Sequence, residues 1–227
     1  MDKSNKDKII LDLCAGTGAW SKPYKEAGYD VRLITLPEYD VRTYVPPEKV
    51  YGVLAAPPCT MFSDARTNAK IPRDLKGGME LVIKCLEIIW EIQYRIKSDQ
   101  SKISPLKFWV LENPYYGRLK WFIGHPTFMF DPWEFGDAYK KRTALWGYYN
   151  LPIKTHTTIS NVMTKEQIVA HKTNSQKLPK FDKLFMSELM ELKGVNNADY
   201  WKDTKLRQTL RAITPNGFAK AFFEVNQ

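Results

Sequence analysis

The residues with the most evident chemistry in this sequence are a cysteine and a glutamate that each follow a predicted buried strand. Cys59 comes directly after Pro57 and Pro58, which fix the backbone and hold the thiol at a rigid strand exit. A cysteine placed in an electropositive pocket becomes a thiolate nucleophile. Glu112 ends the apolar run 107–111 (KFWVL), where burial tends to raise the pKa of a carboxyl group. Such a group holds a proton that it can donate to a ring nitrogen.

A glycine-containing turn follows the first predicted strand, which spans residues 8–13 (KIILDL). The turn reads Cys14-Ala15-Gly16-Thr17-Gly18. Two glycines two positions apart after a strand indicate a tight turn where the backbone approaches a ligand. The segment is not a phosphate loop, because no Gly-Lys-Ser/Thr follows, and it falls short of GxGxxG. It therefore fits a nucleoside cofactor without a pyrophosphate, such as S-adenosylmethionine.

The elements that must position these residues alternate between strand and helix. Apolar runs predict strands at 8–13, 29–36, 50–55, 107–111 and 145–149, and apolar spacing predicts helices at 20–27, ended by Gly28, and at 79–97, preceded by Gly77 and Gly78. This alternation predicts an α/β fold with a mostly parallel sheet. In such a sheet the carboxyl ends of the strands line one crevice, so the glycine turn, Cys59 and Glu112 are expected to converge.

The remaining composition limits the function classes. The 227 residues, 44% of them hydrophobic, suit one domain of ordinary size, and the net charge of +9 favours a polyanionic partner. Residues 151–206 are polar and lysine-rich and lose the strand-helix rhythm, so we interpret them as a small basic insert in a domain formed by 1–150 and 207–227. No apolar stretch is long enough for a membrane span, and the polar N-terminus carries no signal peptide, so we expect a cytoplasmic protein without a membrane partner.

The three cysteines are too few and too scattered for a disulfide framework. The sequence contains neither a CxxC pair nor a histidine cluster, so we expect no metal site. We assign Cys14 and Cys85 mainly to packing, because Cys85 lies near the apolar stripe of the predicted helix 79–97.

Five segments together resemble the DNA cytosine-5 methyltransferase family, in the family's order. LDLCAGTGAW is similar to its cofactor-binding motif, APPCTMFS to its Pro-Cys motif, and LENP to its Glu-Asn-Val motif. FGDAYKKRTALWG resembles its Gln-x-Arg-x-Arg segment, and ITPNGFAKAFF stands where its closing Gly-Asn motif would be. The resemblance implies a Rossmann-like class I methyltransferase fold, S-adenosylmethionine as cofactor and DNA, most simply duplex DNA, as substrate.

The family's chemistry assigns roles to four residues. Cys59 adds to C6 of cytosine, Glu112 protonates N3, Asn113 orients this region, and Arg142 holds the base. C5 then accepts the methyl group, and loss of the C5 proton expels Cys59. Because a duplex hides the base, the target cytosine must be flipped out, at a cost of roughly a few kcal/mol.

The resemblance also implies binding residues. The cofactor residues are Asp12, Ala15, Gly16, Thr17, Gly18, Trp20, Thr35, Leu36, Asp40, Pro57 and Asn216. Asp40 stands where the family has an aspartate near the adenine amine, and Thr35 and Leu36 occupy the place of its acidic ribose ligand, for which Glu38 is a possible substitute. The nucleic-acid residues are Pro58, Ser63, Arg66, Arg73, Lys140 and Lys141. The resemblance makes residues 67–76, with Arg66, Lys70 and Arg73, a mobile loop that closes over the substrate, with Gly77-Gly78 as its hinge. An ordinary solvated loop is the alternative.

The sequence departs from the family pattern at three points. Pro114 replaces a valine and stiffens its loop, Ala144 stands where a second arginine is expected, and the recognition region is reduced to 151–206, a compactness typical of a phage or mobile element. Single-stranded nucleic acid, RNA and a free cytosine nucleotide therefore stay open as substrates. A non-catalytic nucleic-acid-binding relative is the main alternative. An amino-methyltransferase lacks its side-chain acceptor here, since Ala56 precedes the prolines, and a cysteine hydrolase lacks a placed histidine.

Overall fold

The computed structural model describes residues 5–66, 69–94, 106–162 and 212–227. Six strands form one sheet. They are β1 (Ile9–Leu13), β2 (Asp30–Ile34), β3 (Gly52–Ala55), β4 (Phe108–Pro114), β5 (Phe128–Phe130) and β6 (Thr143–Tyr148). Their order across the sheet is β2-β1-β3-β4-β6-β5.

The sheet is mixed and mostly parallel, as the alternation of elements predicts. The pairs β1–β2, β1–β3 and β3–β4 are parallel, whereas β6 runs antiparallel to both β4 and β5. The chain leaves β1 for β2 on one side and returns to β3 on the other. The boundary between β1 and β3 is therefore a topological switch point, the place where open α/β sheets form a ligand crevice.

Apart from Asp12, the residues of strands β1 and β3 are apolar, because both faces of the sheet are covered. Leu11, Leu13 and Val53 belong to the hydrophobic cluster on one face, and Ile10 and Leu54 to the cluster on the other. This alternation follows from the two-residue period of a strand. A continuous apolar run is typical of a parallel strand buried on both faces.

Helix α2 (Leu75–Tyr94) covers one face of the sheet. It buries Val82, Cys85 and Ile89, which lie three and four positions apart and therefore share one side of a helix. The helix begins four residues earlier than predicted, because the Asp74 carboxylate accepts a hydrogen bond from the Gly77 amide at 2.8 Å and caps the first turn. The predicted end at position 97 lies outside the described residues.

The expectation that Gly77 and Gly78 precede the helix is wrong, because both glycines lie within the first turns of α2. Gly78 is buried, and a Cβ atom there would lie 3.0 Å from Met61 Cβ and 3.2 Å from the Phe62 ring. Gly78 is therefore a close-packing position between α2 and the turn after β3. Of the loop predicted at 67–76, residues 67 and 68 lie outside the described residues.

Helices α1 (Lys22–Glu26) and α4 (Asn216–Val225) cover the other face, with the short α3 (Lys120–Ile123) beyond β4. Phe218 of α4 stacks on Phe130 of β5 at 4.0 Å between ring centroids, and Phe222 contacts Trp20 at 5.7 Å. Each buried phenylalanine contributes roughly 1.5–3 kcal/mol through burial. The α4 helix thus packs a segment near the C-terminus against the start of the chain.

Several predicted elements differ in length from the observed ones. Strand 29–36 is observed as Asp30–Ile34 and helix 20–27 as Lys22–Glu26, ended near Gly28 at φ +87°. Strand 107–111 continues to Pro114, because it pairs with β6 along its whole carboxyl half. Only 151–162 of the predicted insert 151–206 lie within the described residues.

Within the ranges that the structure describes, we find no helix with the length and apolarity that crossing a bilayer requires. The same ranges contain no group of three or more His, Cys, Asp and Glu side chains that could hold a metal ion.

Candidate active site

The carboxyl ends of β1, β3 and β4 lie side by side, because these three strands are parallel neighbours in the sheet. Two hydrogen bonds join the three ends. The Ala56 amide after β3 donates to the Leu13 carbonyl of β1 at 3.0 Å. Asn113 Nδ2 on β4 donates to the Pro57 carbonyl at 3.0 Å, and this bond is buried. The Pro-Pro-Cys turn is therefore held between the glycine turn on one side and Glu112-Asn113 on the other.

The glycine turn after β1 has an unusual backbone. Cys14, Gly16 and Gly18 all have positive φ angles, +58°, +56° and +71°. A Cβ atom at Gly18 would lie 2.9 Å from Leu33 Cδ1, whereas one at Gly16 would meet nothing within 4 Å. Gly18 therefore permits close packing on β2, and Gly16 and Thr17 leave an exposed, open rim where a ligand can approach the backbone.

Asp12 supports this turn from inside the protein. Its side chain is 1% exposed and accepts a hydrogen bond from Ser21 Oγ at 2.5 Å. Burial raises the pKa of Asp12 to about 7, although the hydrogen bonds from Ser21 act in the opposite direction. Ser21 also donates to the Gly18 carbonyl at 3.3 Å. Asp12 and Ser21 together join the end of β1 to the last residue of the turn.

Cys59 begins a 3-10 turn, Cys59–Met61, at the rim of the site. Its side chain is half-buried, and its carbonyl accepts hydrogen bonds from the amides of Phe62 and Ser63, both at 2.9 Å. Phe62 is fully buried and anchors the turn in the core beneath α2. The thiol therefore sits on a short segment that is fixed by prolines before it and by a buried ring after it.

The guanidinium of Arg73 is part of this support. It donates to the carbonyls of Met61 at 2.8 Å and Ser63 at 2.9 Å. Arg66, predicted with Arg73 to hold phosphates, is half-buried and donates to the Ile71 carbonyl at 2.7 Å. In the structure Arg73 therefore stabilises the turn that carries Cys59.

Glu112 has the environment expected of a proton donor. Its side chain is 17% exposed, and burial raises its pKa, which confirms the direction predicted from the sequence. Lys141 Nζ lies 4.0 Å from the carboxylate and acts in the opposite direction. The charge of Glu112 in turn contributes to the raised pKa of the buried Tyr139, whose largest cause is burial.

Asn113 lies on the opposite face of β4 from Glu112 because successive residues of a strand alternate. It is 1% exposed, and its Oδ1 atom has no hydrogen-bond donor among the described residues. Asn113 therefore holds the Pro57 carbonyl with its nitrogen and keeps one buried acceptor unused. Ala144, which replaces the second arginine of the family pattern, is fully buried directly opposite Asn113.

Arg142 belongs to a cluster of charges beside β5. Its Nη1 lies 3.1 Å from Asp131 Oδ2 and 4.0 Å from Glu134 Oε2. Glu134 also accepts a hydrogen bond from Lys154 Nζ at 2.8 Å. Within residues 140–142, Lys141 forms the ion pair with Glu112. Arg142 pairs instead with the carboxylates of Asp131 and Glu134.

The predicted cofactor residues outside the glycine turn differ in burial and in the residues that they contact. The Asp40 carboxylate binds Arg42 at 2.6 Å, and Thr35 and Leu36 follow β2 beside a cis Leu36-Pro37 peptide. The hydrogen bond with Cys85 lowers the pKa of Cys14, and the charge of Asp40 acts in the opposite direction. Trp20 is 2% exposed in the core, and Asn216 is exposed at the start of α4. Trp20, predicted to bind the cofactor, packs instead against Phe218 and Phe222 of α4.

Two functional neighbours were missed by sequence reasoning. Ser21 donates a hydrogen bond to Asp12. Cys85 of α2 forms a hydrogen bond with Cys14, which lowers the pKa of the Cys14 thiol. Burial and the charges of Asp12 and Asp40 act in the opposite direction on this pKa. Ser21 stands directly after the glycine motif and could have been suggested by the need of a buried carboxyl for a donor. No sequence signal pairs Cys14 with Cys85, because the contact depends on how α2 packs.

No family model matches this chain, and no curated protein matches it.

Proposed function

We propose that this protein transfers a methyl group from S-adenosylmethionine to C5 of cytosine in DNA. The observation that carries the proposal is the buried hydrogen bond from Asn113 Nδ2 to the Pro57 carbonyl, which holds Cys59 and Glu112 on neighbouring strand ends. A cysteine and a proton-holding glutamate beside an open left-handed turn are the parts that this reaction requires. The mixed, mostly parallel sheet is compatible with the Rossmann-like class I methyltransferase fold.

The turn after β1 fits a nucleoside cofactor without a pyrophosphate. Gly16 and Thr17 are exposed, and a side chain at Gly16 would meet no atom within 4 Å, so a ligand can lie against their backbone. Asp12 and Ser21 hold the turn. Asp40, whose carboxylate pairs with Arg42, is the residue to which the resemblance assigns the hydrogen bond from the adenine amine. When bound there, S-adenosylmethionine supplies an electrophilic methyl group on a sulfonium sulfur.

Cys59 performs the first chemical step on the base. Its thiolate sulfur forms a bond to C6 of cytosine, and the displaced electron pair passes into the ring. The Glu112 carboxyl, whose raised pKa keeps it protonated at higher pH than an ordinary glutamate, gives its proton to N3. The ring is then an enamine with a nucleophilic C5.

The same two residues complete the turnover. Once C5 carries the methyl group, loss of the C5 proton to water and cleavage of the bond between Cys59 and C6 restore the aromatic ring. The N3 proton returns to Glu112. Lys141, 4.0 Å from the carboxylate, stabilises the ionised form of Glu112 between these two transfers.

The proposal is tested by measuring 5-methylcytosine in DNA from cells that express the protein, by nuclease digestion and mass spectrometry, against Cys59→Ala. We expect 5-methylcytosine only with the intact thiol. Cys85→Ala is the matched control, since it removes a thiol that is buried in α2, outside both turns of the site, and should keep activity. Purified protein with a 5-fluorocytosine oligonucleotide should form a Cys59-dependent covalent adduct, because the C5–F bond blocks the last elimination.

A catalytically inactive nucleic-acid-binding relative is the second candidate. It is favoured by Arg142, which pairs with Asp131 and Glu134, and by the buried Ala144 in place of a second arginine. This reading predicts nucleic-acid binding that is indifferent to Cys59→Ala, and no 5-methylcytosine. The same assays with RNA and with free cytosine nucleotides distinguish those substrates from DNA.

A further inference from the structure

An exposed group of aromatic side chains follows β4. We call residues 115–123 the aromatic segment. Tyr116 is 65% exposed, Trp121 67% and Phe122 50%. Leu119 is 1% exposed and anchors the segment in the core, so the three rings are presented outwards from a fixed support. Exposed large rings in one short segment mark an interaction site.

The aromatic segment is joined to the turn that carries Cys59. The Arg118 amide donates to the Phe62 carbonyl at 3.0 Å, and the Asp64 amide donates to the Tyr116 carbonyl at 3.1 Å. Ser63 and Gly117 form an isolated antiparallel bridge. A Cβ atom at Gly117 would lie 3.1 Å from the Phe62 carbonyl, so the two backbones are in close contact. The aromatic rings therefore lie beside the proposed target position.

Two cations lie among these rings. The Arg118 guanidinium is 5.5 Å from the centre of the Trp121 ring, and Lys120 Nζ is 4.2 Å from the centre of the Tyr115 ring. Lys120 also donates to the Tyr115 carbonyl at 3.3 Å. The acidic side chain of Asp64 lies beside these cations, with its Oδ1 atom 3.8 Å from Arg118 Nε. Arg118 Nε is buried and has no hydrogen-bond acceptor among the described residues.

We propose that the aromatic segment binds unpaired DNA bases by stacking, so that this protein binds single-stranded DNA more tightly than duplex DNA. Stacking on an aromatic ring contributes about 1–3 kcal/mol per base, and nearby cations attract the phosphates. The net charge of +9 is complementary to a polyanion. The binding of a single strand does not depend on the proposed function. The further statement that the bound bases lie next to a target cytosine rests on the proposed function.

A single strand suits these rings better than a duplex does. In a duplex both faces of each internal base are already stacked, so an exposed ring such as Trp121 can stack only after a base has been extruded. A single strand offers free base faces at no such cost. Exposed aromatic rings with interleaved cations are typical of surfaces that bind single strands.

The test measures binding of a dye-labelled oligodeoxynucleotide of about 12 nucleotides, single-stranded or annealed to its complement, by fluorescence anisotropy at about 0.1 M salt. Trp121→Ala should weaken single-strand binding about tenfold, and Trp121→Phe should recover most of the loss because it keeps a ring. Trp90→Ala is the matched control. Trp90 is 49% exposed on α2, twelve residues and about 18 Å along the helix from Gly78, which contacts Met61.

The outcomes separate this inference from the proposed function. Equal single-strand affinity for Trp121→Ala and Trp90→Ala would overturn it, and so would a duplex that binds as tightly as the single strand in the unmodified protein. A lower Tm for Trp121→Ala alone would also overturn it, because the ring would then be packing against protein. If no methyl transfer is found on any substrate but Trp121→Ala still loses binding, the stacking surface stands and the proposed function fails.

Discussion

Two turns at the same edge of the sheet hold their shapes by different physical means. The turn after β1 relies on a left-handed backbone at Cys14, Gly16 and Gly18 and on a buried carboxyl that joins it to Ser21. The turn after β3 relies on two prolines and on a hydrogen bond from Asn113. Strand β3 is buried along its whole length and β1 from Ile10 onwards, and both turns carry a cysteine.

The difference suggests what each turn does. Glycines remove side chains, so the first turn exposes its backbone and suits the binding of a ligand. Prolines remove backbone freedom, so the second turn suits the presentation of one reactive side chain, Cys59. On the proposed function, changes in the first turn should alter cofactor affinity, and changes around the second should alter the rate of methyl transfer.

The largest effect is expected from Glu112→Gln. The amide cannot donate the proton that N3 needs, so kcat for methyl transfer should fall about 10²–10⁴-fold. The affinity for S-adenosylmethionine should stay the same, because the change lies on the side of the reacting base. Glu87→Gln on α2 is the control, since Glu87 is exposed and pairs with Lys84. An equal loss in both variants would contradict the role of Glu112.

Asp12→Asn tests the support of the first turn through pH. Because the pKa of Asp12 is raised from 3.8 to about 7 in the folded protein, folding takes up a proton between these values. The free energy of unfolding should therefore fall as pH rises from about 4 to 7, by up to roughly 4 kcal/mol from this group.

The Asp12→Asn variant keeps an acceptor for Ser21 and should lose this part of the pH dependence. Urea unfolding at a series of pH values measures it. If the free energy of unfolding instead rises with pH by the same amount in the wild type and in the variant, Asp12 contributes nothing to the pH dependence. That result would show that Asp12 is ionised at ordinary pH. The surrounding carboxylates titrate in both proteins and cancel in the comparison.

Asn113→Ala should loosen the second turn. It removes the donor from the buried Pro57 carbonyl, which costs about 1–3 kcal/mol in the free energy of unfolding. Methyl transfer should fall by more than this stability loss explains, because Cys59 is then held less firmly. Recovery of kcat, but not of stability, by Asn113→Gln would show that the position of the thiol is what matters. A purely structural role predicts a loss of Tm with kcat unchanged.

The smallest effect is the difference between Gly18→Ala and Gly16→Ala. Both place a side chain at positive φ, which costs about 1–2 kcal/mol. Only at Gly18 does the new Cβ atom also meet Leu33, at 2.9 Å, so Gly18→Ala should have the lower Tm by a few degrees. Gly16→Ala should weaken S-adenosylmethionine binding more, as calorimetry would show. The reverse order of affinities would place the ligand nearer Gly18.

The motifs could be located from the sequence because each depends on local chemistry. Glycines after an apolar run predict a turn, and prolines before Cys59 predict a rigid one, whatever surrounds them. The raised pKa of Glu112 could be predicted as well, since an apolar strand implies burial. The predicted start of α2 after Gly77 and Gly78 was wrong, because Asp74 caps the helix earlier and both glycines lie within it.

The amino-acid sequence by itself determined the strand-helix alternation, the buried runs of β1, β3 and β4, and the residue types at their ends. Only the tertiary structure decided that Asn113 reaches Pro57, that Lys141 lies beside Glu112 while Arg142 pairs with Asp131, and that Trp121 stands exposed next to the turn of Cys59. The physical reason is the range of the interactions. Turns and strand periodicity arise from neighbours in the chain, whereas these contacts join residues far apart in sequence and form only when the strands and helices pack.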